Sequence, residues 1–159
     1  MKDKIEDETP QTRCGYVALI GAPNAGKSTL INRLVGAKVS IVSPKVQTTR
    51  RRVLGVAMQG NAQIIFVDTP GIFAPKRRLD RAMVAAAWGG TEEADRIVLL
   101  VDATKKKIDG DTLAIIEGLK KSGRKAHCAI NKIDAVKRAK LLGLAAELGA
   151  LFPFERTFM

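Results

Sequence analysis

The sequence predicts an α/β fold: a mostly parallel six-stranded sheet with one antiparallel strand and helices on both faces. Three observations predict it. Short continuous apolar runs are cut off by glycine or turn residues, as strands covered on both faces require. These runs alternate with stretches whose apolar residues keep helical spacing. One pair of runs is separated only by a two-residue turn, which makes that pair antiparallel.

The elements follow in order. "MKDKIEDETPQT", residues 1–12, is polar and is expected to be a disordered tail. "CGYVALIG" reads as a buried strand ending at Gly21. Lys27 to Val35 supports a helix with Leu30, Ile31 and Leu34 on one face and Gly36 as its stop. "RRRVLGVAMQ" and "AQIIFVDT" flank Gly60-Asn61 and read as a hairpin, with Leu54, Val56 and Met58 on one face. "LDRAMVAAAW" reads as a helix whose buried side holds Leu79, Met83 and Ala87, closed by Gly89-Gly90. "ADRIVLLVDAT" and "KAHCAINKID" are further strands, separated by a helix from Asp111 to Lys121 with Leu113, Ile116 and Glu117 at helical spacing. Leu141, Leu144, Ala145 and Leu148 set the face of a last helix, and "FERTF" starts a final strand.

A chain of 159 residues, 46% of them hydrophobic, can bury one sizeable core without cross-links. Its two cysteines, Cys14 and Cys128, each lie in an apolar run and are expected to be buried reduced thiols. No secretory h-region opens the sequence, and no run of about eighteen apolar residues follows it. The net charge of +11 favours polyanionic partners such as nucleic acid or acidic lipid, without choosing between them.

In α/β folds ligands sit at the carboxyl ends of the strands, and three motifs lie there. "GAPNAGKS", Gly21 to Ser28, matches the phosphate-binding pattern G-x-x-x-x-G-K-[ST] between a strand and a helix. Its backbone N–H groups and the following helix end form an anion nest. Lys27 would bridge the outer phosphates, and the Ser28 hydroxyl would supply one oxygen to Mg²⁺. "DTPG", Asp68 to Gly71, places Asp68 to hold a Mg²⁺-bound water and the Gly71 N–H to meet a γ-phosphate; a Pro-Gly type II turn is compatible with both. In "NKID", Asn131 to Asp134, the Asp134 carboxylate can accept from N1–H and the N2 amino group of guanine, a donor pair adenine lacks.

Together "GAPNAGKSTLINRL", "VSPKVQTTR", "DTPGI" and "NKID" resemble the bacterial Era GTPases of the TrmE-Era-EngA-like superfamily, over nearly the whole chain after its tail. The resemblance implies a Ras-like G domain of the P-loop NTPase class spanning residues 13–159. It implies GTP and GDP as ligands with Mg²⁺, slow GTP hydrolysis, and Thr49 as the switch I threonine that completes the Mg²⁺ shell, Thr48 being the alternative. It also implies a monomer that acts in maturation of the small ribosomal subunit, with 16S ribosomal RNA as partner, in the cytoplasm and peripherally at the inner face of the cell membrane. Era proteins carry a Ser-Ala loop and an RNA-binding KH domain beyond this point, so a G domain truncated before both is expected. Another ribosome-assembly GTPase shares the loop and "DTPG", and "QTTR" carries the narrower reading. An ATP-using kinase is disfavoured by "NKID".

Candidate nucleotide contacts are therefore Gly21, Ala22, Pro23, Asn24, Ala25, Gly26, Lys27, Ser28 and Thr29 in the loop, then Asp68, Thr69, Pro70, Gly71 and Ile72, then Asn131, Lys132 and Asp134. Lys27, Thr49 and Gly71 are the candidates for acting on the transferred phosphoryl group. Ile72 stands where small GTPases of the Ras kind use glutamine to orient the attacking water, and it cannot do so. In some relatives a K⁺ ion beside the phosphates is held partly by the loop asparagine, a place that Asn24 occupies. Without an evident general base, a nucleotide-gated RNA- or ribosome-binding module with negligible hydrolysis is the competing reading.

Arg50, Arg51 and Arg52 follow the switch threonine and read as solvated charge more readily than as an internal arginine finger. With Lys45, "KRR" at 76–78 and "KKK" at 105–107 they form candidate RNA contacts. His127, in an apolar strand, reads as a packed or edge histidine. Trp88 reads as a packing residue placed to report nucleotide state.

Overall fold

The computed structural model describes residues 12–40, 42, 53–72 and 78–159. The expected tail thus lies outside the described residues except for Thr12, and so do Lys45, Gln47, Thr48, Thr49, and Arg50 to Arg52.

The chain runs β1 (Arg13–Gly21), α1 (Lys27–Val35), β2 (Val53–Gln59), β3 (Ala62–Asp68), α2 (Arg78–Glu92), β4 (Arg96–Asp102), α3 (Gly110–Ser122), β5 (His127–Asn131), α4 (Arg138–Leu151) and β6 (Thr157–Phe158). The six strands form one sheet in the order β2-β3-β1-β4-β5-β6. Among the described residues only the β2–β3 pair is antiparallel, with Gln59 opposite Ala62 across the Gly60-Asn61 turn. β1 pairs in parallel with β3 on one side and β4 on the other, and β5 joins β4 to β6. The anticipated architecture is found.

Neighbouring residues of β1 divide the core. Leu19 packs with Ile31 of α1 and Phe66 of β3 on one face. Ile20 belongs to the larger cluster on the other face, where Ala87 of α2, Ile115, Ile116 and Leu119 of α3, and Leu141 and Leu148 of α4 meet Ile97, Leu99 and Val101 of β4. Alternation along a strand sends successive side chains to opposite faces, so both sides need cover. The carboxyl ends of β1, β3, β4 and β5 then lie side by side.

Three expectations need correction. The first half of β1 is largely open, burial becoming continuous only from Ala18, and Cys14 is exposed, not buried. Leu34 is exposed while Ile31 is fully buried, so the covered face of α1 is narrower than its spacing suggested. The helix expected from Asp111 to Lys121 is found as α3, which covers Thr112, Ile115, Ile116 and Leu119 and leaves Leu113 and Glu117 facing solvent. Finally, α2 continues through Gly89 and Gly90 to Glu92. Each helical glycine costs about 1 kcal/mol against alanine; the burial of Ala87 and Thr91 on either side offsets that. The side chains of Leu79 and Met83 fall outside the described set. Leu141 and Leu148 are buried as expected, and Gly36 closes α1 in the left-handed conformation.

Candidate functional site

The turn from Gly21 to Ser28 carries β1 into α1. Gly26 precedes the helix with φ 100°, and a side-chain carbon there would collide with the Asn131 amide, so this close approach requires glycine. Lys27 opens the helix, yet its ammonium folds back to donate to the Gly21 and Ala22 carbonyls at 3.1 and 2.9 Å. Burial pushes its pKa down to about 8, the charge of Asp68 acting in the opposite sense. An ammonium so placed is desolvated in advance and gains most when phosphate arrives. Ala22 and Ala25 are buried, Pro23 is half-buried, and Asn24 and Thr29 are exposed. Asn24 adopts φ 61°, a conformation asparagine tolerates better than most residues.

The chain leaving β3 is stitched to this loop. Asp68 is fully buried, and its Oδ2 accepts from the Ser28 hydroxyl at 2.8 Å and from the Ser40 hydroxyl. Thr69, also fully buried, donates to the Leu19 carbonyl at 2.7 Å, and the Ile72 N–H donates to the Gly21 carbonyl at 3.1 Å. Pro70 and Gly71 are buried between these bonds. Ile72 lies in the core cluster shared with α2 and α3 and has no polar group with which to orient a water. The paired hydroxyl and carboxylate of Ser28 and Asp68 are hard oxygen donors, and they suit Mg²⁺, which takes the rest of its octahedron from phosphates and water.

The turn after β5 completes the site. The Asn131 amide donates to the Ala25 carbonyl at 2.9 Å. Lys132 sits at φ 59°, and its Nζ bridges the Asn24 carbonyl at 2.8 Å and Asp102 Oδ2 at 2.7 Å. Two residues of "NKID" therefore hold the phosphate loop, and Asp134 follows on an exposed 3-10 turn, Ile133–Ala135. The three motifs come together as anticipated, with Thr48 and Thr49 outside the described residues.

Three participants were not anticipated. Asp102 ends β4 and also accepts from the Thr104 N–H and hydroxyl at 2.9 and 2.6 Å. Its burial raises the carboxyl pKa, but hydrogen bonds from Lys132 and Thr104 outweigh that and hold it below the ordinary carboxylate value. Its signal was available, since it is a carboxylate closing an apolar strand. Ser40 and Asn32 carried no such mark. Of the basic clusters, Lys105, Lys106 and Lys107 are exposed on the loop between β4 and α3. His127 packs edge-on to Phe158 and lies 3.5 Å from Glu155, which agrees with the packed reading.

Among the described residues no helix is long and apolar enough to cross a membrane. Residues 16–132 match the family described as 50S ribosome-binding GTPase. The chain is 60% identical over 158 residues to the GTPase Era of Rhizobium meliloti (strain 1021), covering 99% of this chain and 50% of that protein. It is 59% identical to the GTPase Era of Mesorhizobium japonicum, covering 100% and 51%. It thus spans about half the length of these curated relatives. A crystal structure of Era in complex with MgGDPNP and nucleotides 1506–1542 of 16S ribosomal RNA is similar with a TM-score of 0.85 at 44% identity, covering 93% of this chain and 51% of that one. A variant of Aquifex aeolicus Era bound to GDP and AlF4⁻ gives 0.83 at 43% identity, covering 92% and 50%. Because the match runs from β1 to Lys132, through the phosphate loop and "DTPG", the chain belongs to the 50S ribosome-binding GTPase family, and within it resembles the Era GTPases.

Proposed function

We propose that this chain binds GTP with Mg²⁺, hydrolyses it slowly to GDP and phosphate, and uses the cycle to switch its engagement with the small ribosomal subunit through 16S ribosomal RNA. The observation that carries the nucleotide reading is the fastening of the turn before Asp134 onto the phosphate loop by Asn131 and Lys132. A base-reading carboxylate and a phosphate nest are thereby held at one fixed separation, as a purine nucleoside polyphosphate needs. In this reading the backbone from Gly21 to Thr29 cradles the phosphates. Lys27 neutralises charge developing on the transferred group, and the Gly71 N–H meets it. Ser28, Thr49 and, through a water, Asp68 hold Mg²⁺. Asp134 reads guanine.

The relatives named Era, and the complex of one Era with a 16S ribosomal RNA segment, support the RNA partner, as does the surplus of 27 basic over 16 acidic residues. The same surplus supports work in the cytoplasm with peripheral contact at an acidic membrane face. Residues 13–159 act as the nucleotide-binding unit. With Ile72 buried, the attacking water is left to other groups, and a K⁺ ion held partly by Asn24 would add positive charge beside the phosphates to that of Lys27. The alternative, a nucleotide-gated module that barely hydrolyses, draws on the same burial of Ile72.

Single-turnover cleavage of labelled GTP, in K⁺ and in Na⁺ buffers, tests these together. Cleavage faster in K⁺ is expected, equal rates would remove the K⁺ role, and no cleavage in either would favour the binding module. For base reading, Asp134→Ala is expected to cost at least about 1–3 kcal/mol of GDP affinity. Excess ATP displacing GDP from the unaltered chain would overturn guanine specificity.

A further inference from the structure

Ser28 is not the only hydroxyl on Asp68. Ser40, only 4% exposed, donates to the same Oδ2 of the fully buried carboxylate. Ser40 stands where the chain that has left α1 enters residues 41–52, which carry Thr48 and Thr49. Ser40 is itself clamped. The Asn32 carboxamide, on the second turn of α1, accepts from the Val39 and Ser40 N–H groups at 2.9 and 2.8 Å and donates to the Ser40 carbonyl at 2.8 Å. A connected path thus runs from the helix that begins with Lys27 and Ser28, through Asn32 and Ser40, to Asp68.

The buried Ser40 hydroxyl and Asp68 carboxylate cannot exchange their bond for water, so its geometry is imposed rather than averaged. Two hydroxyls converging on one oxygen fix the rotation of the carboxylate about its own bond. Holding a metal-bound water depends on that rotation. We propose that Ser40, held by Asn32, is a positioning residue for the Mg²⁺ site, an assignment that rests on the Mg²⁺–nucleotide reading above. Because Ser40 leads into the segment bearing the candidate switch threonine, one bond ties the start of that segment to the carboxylate that would hold the metal-bound water.

The test is a Mg²⁺ titration of labelled-GDP binding to the whole chain, for wild type, Ser40→Ala, Ser40→Thr and Asn32→Ala, with GDP affinity in EDTA as the reference. Loss of the Ser40 hydroxyl is expected to raise the Mg²⁺ needed for half its effect roughly tenfold, as for other groups that orient metal ligands. Affinity in EDTA stays at the wild-type value. Ser40→Thr, which keeps a hydroxyl, returns towards wild type, and Asn32→Ala shifts in the same direction as Ser40→Ala. A Ser40→Ala titration that superimposes on wild type overturns the assignment. So does equal weakening in EDTA and in Mg²⁺, or a threonine variant as defective as alanine, since both indicate packing alone. A wild-type chain whose GDP affinity ignores Mg²⁺ overturns the underlying reading, and this assignment with it.

Discussion

Lys132 and Asp102 pair at 2.7 Å across the ends of β5 and β4, and the same ammonium holds the Asn24 carbonyl of the phosphate loop. The pair is asymmetric: Asp102 is 8% exposed and Lys132 37%. The carboxylate therefore depends on its partner far more than the ammonium does. With its stem pinned at φ 59°, Lys132 serves as a strut between two strand ends and the loop.

Asp102→Asn keeps the shape and removes the charge. Lys132 being partly solvated, the loss is smaller than for a wholly buried pair, and GDP affinity should fall by about 1–2 kcal/mol. The pH dependence has a definite sign. The folded carboxyl titrates below its unfolded value near 3.9, so its contribution is complete above that value and disappears as pH falls through the folded pKa. Thermal unfolding should separate wild type from Asp102→Asn at pH 7 and converge for the two at strongly acid pH. A gap that persists unchanged in acid would show that the charge is not what stabilises the turn.

Lys27 gives a second pH signature. Its folded pKa of about 8 lies well below the unfolded value near 10.4. Between those values the unfolded chain binds more protons, so without nucleotide the Lys27 contribution to stability rises with pH. Phosphates raise the folded pKa again. Near pH 8, where about half of the Lys27 side chains are neutral, GDP binding should take up about half a proton, and the uptake should vanish near pH 6.5. Calorimetry in buffers of different ionisation enthalpy measures this directly. Binding at pH 8 with no proton uptake would contradict the buried-ammonium account.

How much of this was legible depended on the range of the interactions. The phosphate loop, "DTPG" and "NKID" each consist of consecutive residues whose types report local backbone needs, so they could be read and assigned to strand ends. The bounds of α1 and the Gly60-Asn61 hairpin were legible for the same reason. Asp102, Ser40 and Asn32 matter only because the order β3-β1-β4-β5 sets distant strand ends beside one another. The helix α3 was legible from its spacing, but which of its sides is buried is chosen by the neighbouring elements, which cover Ile116 and leave Leu113 exposed. A glycine pair normally stops a helix; in α2 packing on both sides overrides it.

The misplaced cysteine yields a third prediction. Cys128 is fully buried, and burial pushes its thiol up to about 12, whereas Cys14 is exposed beside Gln63. Thiolate is the reactive form, so at pH 8 the folded chain should consume one equivalent of a thiol reagent quickly, at Cys14. The second equivalent should react only on unfolding, and its rate should then report opening of β5. Rapid labelling of both thiols in the folded chain would contradict the burial of β5.

Gly71 offers the sharpest separation of binding from cleavage. A Cβ at this position would lie 3.0 Å from both Cα and N of Pro23, and neither backbone atom can rotate aside. Gly71→Ala must therefore widen the contact between "DTPG" and the phosphate loop by a few tenths of an ångström, against the bond from Ile72 N–H to the Gly21 carbonyl. The Gly71 N–H is assigned to the γ-phosphate, a group GDP lacks. GDP affinity should accordingly change by no more than about 1 kcal/mol, while single-turnover cleavage of GTP falls about 100-fold, as when one donor to a developing charge is lost. Equal losses of GDP affinity and cleavage would mean that the substitution had displaced the phosphate loop itself. Unchanged cleavage would remove Gly71 from the reaction, and the contact with Pro23 would then be packing alone.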